Sequence, residues 1–127
     1  MKKLVSLLLL VLFLGSSLLL AQNNTKIYAV VKQMPQLMEG NLQWYIYKHT
    51  IYPAKAKEQK PEGTVVMGFV VEPTGQVSTV KVMKSVHALL DAEAVKIVNA
   101  LPRFTPGYHE GKPVRVQMYV PVKFSLK

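Results

Sequence analysis

The stretch GTVVMGFVVEPTGQVSTVKVMK, residues 63–84, decides the fold. From Thr64 to Glu72 the side chains alternate. Val65, Met67, Phe69 and Val71 share one face; Thr64, Val66, Gly68, Val70 and Glu72 share the other. That period of two is a strand, and two largely apolar faces suit the middle of a sheet. Pro73-Thr74-Gly75 is a turn with glycine where a positive φ is wanted. Gln76 to Lys84 returns with Val80 and Val82 in phase, while Val77 is out of step, so a bulge is expected near Ser78. The pair is a β-hairpin.

Toward the C-terminus, Leu90, Ala94, Val98 and Leu101 recur at helical spacing, with Asp91 at the helix start and Pro102 at its stop. Residues 103–113 read as an irregular crossing with turn signals at Pro106-Gly107 and Gly111-Lys112-Pro113. A last strand follows. Val114, Val116, Met118, Val120, Val122 and Phe124 face the core, and Arg115, Gln117, Tyr119, Pro121 and Lys123 face out. The chain order is therefore β-β-α-β. A right-handed crossover brings the last strand beside the first, in the order second, first, last (2-1-3). Thr64–Glu72 is then central and the last strand lies on an edge, where Pro121 is tolerated.

Toward the N-terminus, Ile27 to Val31 reads as a short strand. Asn41 caps a helix carrying Leu42, Tyr45, Ile46 and His49 on one face, and Pro53 opens a second short one. The fold class is α+β: a two-layer domain with a mixed three-stranded sheet packed by helices. Its β-β-α-β core is preceded by N-terminal helices. The boundaries are 1–21 for the leader, 22–40 for a lead-in segment, and 41–127 for the domain.

The leader begins with Lys2 and Lys3, continues with the apolar run Leu4–Leu14 and ends in small and polar residues around Ala21. That order is a secretory signal peptide. Its roughly 18 apolar residues also reach the lower limit of a membrane span, so an inner-membrane anchor stays open. On either reading the remainder leaves the cytoplasm for the periplasm. The chain has no cysteine, so neither disulfides nor lipid attachment hold it. Its net charge of +9 falls to +7 beyond residue 21, where 14 basic residues face 7 acidic ones. The lysines are dispersed, which reads as a soluble surface rather than a nucleic-acid footprint.

No enzyme is legible. His49, His87 and His109 have no metal-ligand spacing, Ser85 sits in no nucleophile elbow, and the glycines are isolated. No cofactor or metal is expected. Trp44, Tyr45 and Tyr47 read as helical packing rather than as an exposed aromatic cluster.

The chain resembles the C-terminal domain of TonB in the form of Bacteroidetes-type energy transducers. The motifs are Tyr52-Pro53-x-x-Ala56, Gly63-x-Val65-x-x-x-Phe69-x-Val71, Gly75-x-Val77-x-x-Val80-x-Val82-x-x-Ser85, Leu90-Asp91-x-x-Ala94, Phe104-x-Pro106-Gly107, Gly111-Lys112-Pro113-Val114 and Val120-Pro121-Val122-x-Phe124. The likeness spans about residues 28–126. It implies a periplasmic domain that binds the TonB box, a short extended segment of TonB-dependent outer-membrane transporters, as an added β-strand. The guest, or a segment of another envelope protein, would lie along Val114, Arg115, Val116, Gln117, Met118, Tyr119, Val120 and Lys123. Five residues separate Ala21 from Ile27, roughly 18 Å when extended, so a stand-alone binding domain is expected. An inner-membrane-tethered accessory of the transport machinery is the alternative. A self-associating structural module, homodimeric through the same edge, is another.

Overall fold

The computed structural model describes residues 25–126; the leader 1–21 lies outside them. Among the described residues no helix is long and apolar enough to cross a membrane. The chain runs β1 (Ile27–Tyr28), β2 (Gln36–Leu37), α1 (Leu42–His49), a 3-10 turn (Ala54–Ala56), β3 (Gly63–Val71) and β4 (Val77–Lys84). It continues through α2 (Ala88–Asn99), β5 (Phe104–Thr105), β6 (Gly107–His109) and β7 (Lys112–Phe124).

The alternation in β3 buries Val65, Met67, Phe69 and Val71 completely against the helices. Val70, on the opposite face, is buried too, so β3 is central on both sides. It pairs antiparallel with β4, and the pairing shifts register between Gly68 and Val70, where Thr79 takes a φ of 50°. That is the bulge expected beside Ser78. On its other side β3 pairs antiparallel with β7 through nine unbroken partners, from Gly63↔Phe124 to Val71↔Val116. The three long strands thus stand in the expected order, β4-β3-β7.

The sheet does not stop at β7. β1 pairs parallel with it on the side away from β3, placing Ile27 opposite Arg115 and Tyr28 opposite Val116. β6 forms a hairpin with its first residues, from His109↔Lys112 to Gly107↔Val114. The expectation of a wholly unpartnered last strand is corrected here: Val114, Arg115 and Val116 already have neighbours from their own chain. Arg115 and Val116 are met by β1 from far away in sequence, whereas at Val114 the reason is local. Glu110 and Gly111 both take positive φ, 52° and 77°, the geometry that closes a two-residue hairpin. The irregular crossing is therefore partly a strand.

The helices form the second layer. Asn41 caps α1 by accepting from the Trp44 N–H at 3.0 Å. Helix α2 starts earlier than its apolar period suggests. His87, in an extended conformation, caps it through Nδ1, which accepts from the Leu89 N–H at 3.1 Å. Asp91, one turn in, reaches back to accept from the Val86 N–H at 3.1 Å and from the Ser85 hydroxyl. Leu90, Ala94 and Val98 are fully buried against the sheet, with Ile46, Phe104, Val120, Val122 and Phe124 completing the core. Each such large side chain contributes roughly 1.5–3 kcal/mol.

Candidate functional site

Proline has no N–H to give a ladder, and successive residues of a strand turn their backbone groups to alternate sides. Pro121 stands opposite Val66 in an unbroken pairing, so its position must be one that turns away from β3. By the same alternation Tyr119 and Lys123 present their N–H and C=O groups outward, and Met118, Val120 and Val122 present theirs to β3. Among the described residues the strand pairs with β3 alone from Gln117 to Phe124. This is an open edge of eight residues.

Three clefts follow one another along it. The first, of about 470 Å³, lies where Met118 faces Pro35, Leu37 and Leu42. The second, about 300 Å³, runs between Pro121 and Lys123 on one side and Gln43, Ile46 and Thr50 of α1 on the other. The third, about 280 Å³, continues past Lys123 to Ser125, walled by Tyr47, Lys48 and Tyr52. The open edge therefore faces a channel whose far wall is the lead-in segment and α1. An extended chain laid in it would touch backbone on one side and side chains on the other.

Helix α1 supplies the aromatic Tyr47 to that wall. Trp44 and Tyr47 are 60% and 66% exposed and stack on each other at 5.5 Å. They do not pack inward, as the helical reading had it. Tyr45 does: it packs against the core and stacks on His49 at 4.0 Å. A hydrophobic residue every third or fourth position marks a helix stripe, but it does not say which of two stripes meets the sheet.

The residues singled out from the sequence divide into three groups. Tyr119 and Lys123 are exposed on the open stretch. Val116 and Val120 are fully buried, Val114 and Met118 partly so, and they support the edge from beneath. Arg115 and Gln117 are engaged within the chain. The Gln117 amide donates to the carbonyls of Phe69 and Met118 at 3.1 and 3.2 Å, folding across the sheet. Arg115 grips Glu72 with two bonds, Nε to Oε1 at 2.8 Å and Nη2 to Oε2 at 3.1 Å, while Nη1 donates to the Thr25 carbonyl at 3.1 Å. The guanidinium holds the Glu72 carboxyl below its ordinary range, against the opposing effect of burial, and the Ser78 hydroxyl adds to it. In return Glu72 raises the Arg115 pKa further. Lys48 and Thr50 carry no sequence signal as wall residues, and Tyr47 reads there as packing, because no spacing signals a contact between a helix and a strand some seventy residues apart.

The opposite margin of the sheet is built differently. β4 carries two register irregularities, the non-glycine Thr79 at positive φ, and the exposed Lys81 and Lys84. Bulges and lysines blunt an edge against strand pairing. β7 has no break in its nine partners. Of the two margins, only β7 offers a regular ladder.

A family model described as Gram-negative bacterial TonB protein, C-terminal, matches residues 48–126. The chain is 36% identical over 77 residues to protein TonB of Haemophilus ducreyi. That match covers 60% of this chain and 26% of the relative, so the chain spans about a quarter of that protein's length. Among solved structures, the solution structure of the Helicobacter pylori TonB C-terminal domain superposes with a TM-score of 0.52 at 24% identity. The superposition covers 67% of this chain and 77% of that one, and it shows a shared fold.

Proposed function

This chain belongs to the TonB C-terminal family, and from that premise we propose that it binds an extended segment of another envelope protein as an added β-strand. The segment belongs to a TonB-dependent outer-membrane transporter, and the encounter takes place in the periplasm in support of transport across the outer membrane. The observation that carries the reading is the open, unbroken stretch Gln117–Phe124 facing a channel walled by α1. Backbone groups of Tyr119, Pro121 and Lys123 supply the hydrogen bonds, and the clefts take alternate side chains of the guest. The domain works by binding and orienting rather than by chemistry. Its histidines fit structural roles: His87 as a helix cap, His49 stacked on Tyr45, and His109 tilted against the Tyr28 ring.

A titration of the isotope-labelled protein with a synthetic peptide from a transporter's TonB box tests this directly. Amide exchange at Tyr119 and Lys123 should slow on binding, and the fluorescence of Trp44, the sole tryptophan, should change. Protection at β4 instead, or saturable binding with no change at either amide, would overturn the reading.

A further inference from the structure

The chain's own lead-in segment already sits where a guest strand would begin. β1 lies on the guest's side of β7, pairs through backbone, and covers Arg115 and Val116 immediately before the open stretch starts at Gln117. We propose that residues 25–28 form a displaceable strap, a built-in occupant of the first part of the binding edge. A partner segment longer than the open stretch must lift it. This rests on the strand-addition reading above and adds to it a rule for partner length.

The strap's attachments among the described residues are solvent-reached. Beyond the two-residue pairing they include the Arg115 Nη1 bond to the Thr25 carbonyl, the Tyr28 ring against His109 at 4.8 Å, and the Lys26 ammonium 4.7 Å above Tyr28. Ile27 is 41% exposed. Contacts of this kind stabilise weakly when solvent reaches them. The attachments downstream are firmer. Val31 is buried, and the Tyr108 N–H donates to the Gln33 carbonyl at 3.0 Å. Between the two anchorages lie a bend at Ala29 and the fully solvated Val30. The strap can therefore peel away as far as Val30 while the rest of the lead-in stays docked.

Arg115 makes the exchange economical. Its two bonds to Glu72 fix the guanidinium at the end of β3, and only Nη1 is committed to the lead-in segment. When the strap leaves, that N–H is held in position for a guest carbonyl in place of Thr25. The cation is not left uncompensated, because Glu72 stays with it. In effect Arg115 positions whichever strand occupies the edge.

The test uses the full exported chain and two synthetic probes from one transporter segment, one of about six residues and one of about twelve. The short probe fits the open stretch; the long one overlaps Arg115. In the wild type both bind. Tyr28→Pro breaks the strap's pairing and its ring contact, and Tyr28→Ala removes the ring contact alone. Tyr28→Pro should tighten the long probe about tenfold, since the competent edge is no longer occupied, and leave the short one unchanged. Tyr28→Ala should move the long probe in the same direction by less. If both probes tighten equally, or neither does, the strap is not a competitor, even though strand addition stands on the wild-type titration. If neither probe binds any variant, the inference falls together with the reading beneath it.

Discussion

Gly75 and Gly111 both take positive φ, +88° and +77°, yet their surroundings separate them. A Cβ on Gly75 would lie 2.0 Å from the Phe104 carbonyl oxygen, a backbone atom that cannot swing aside. The same turn is held by the Phe104 N–H donating to the Gly75 carbonyl at 2.8 Å. A Cβ on Gly111 would meet open space. Gly75→Ala should therefore cost about 3 kcal/mol or more, and Gly111→Ala about 1 kcal/mol, the conformational part alone. Equal midpoints in urea denaturation would show that the loop at Phe104 moves freely. Glu72 gives a second test at this scale. Arg115 lowers its pKa in the folded chain, so the carboxylate stabilises the fold fully at and above the ordinary value of 4.5. The contribution is lost as pH falls through the lowered value. Wild type should exceed Glu72→Gln by about 1 kcal/mol near neutrality, with the gap closing only on acidification below the usual carboxylate range. A gap that persists in strong acid would mean that the charge is not its source.

At the scale of one element, β7 offers a prediction that depends on which way each backbone N–H points. Val120 donates toward β3 and is buried, so Val120→Pro should destabilise the domain by about 3 kcal/mol. Tyr119 donates outward. Tyr119→Pro should leave stability within about 1 kcal/mol of wild type and weaken guest binding about tenfold, one hydrogen bond's worth. Urea denaturation and Trp44 fluorescence titration read the two effects separately, and a reversed pattern would invert the assigned register. The same strand shows what a sequence can and cannot disclose. Its alternation from Val114 to Phe124 was enough to place it beside β3, though not to show that β1 and β6 flank its first part, and the hairpin of β3 and β4 was legible down to its bulge at Thr79. These features arise from neighbours in sequence, where periodicity is strong. The short strand read over Ile27 to Val31 is present only as Ile27–Tyr28, and β6, with three residues, is too short for any period to register. That β1 covers Arg115 follows from a contact some ninety positions away, made through backbone and a single guanidinium bond. Likewise the outward turn of Trp44 and Tyr47 depends on which α1 stripe β7 happens to face.

For the whole molecule, the arrangement of layers determines what a guest does to stability. The helices cover one face of the sheet, and α1 stands apart from the end of β7 by the width of a cleft. A strand laid there would touch both layers at once: the ladder of β7 and the wall formed by Ile46, Tyr47 and Thr50. Its binding energy would then be lost only on global unfolding, because no local opening of one layer releases it. At a free concentration about one hundred times its Kd, such a guest adds roughly 2.7 kcal/mol to the stability of the fold. For a domain of this size that corresponds to a rise in Tm of roughly 10–20 °C. Calorimetry of the domain with increasing peptide should show one transition that moves upward with the logarithm of concentration. If binding is saturated and the transition stays where it was, or splits in two, the guest is held by one layer only. The channel between β7 and α1 would then not be its seat.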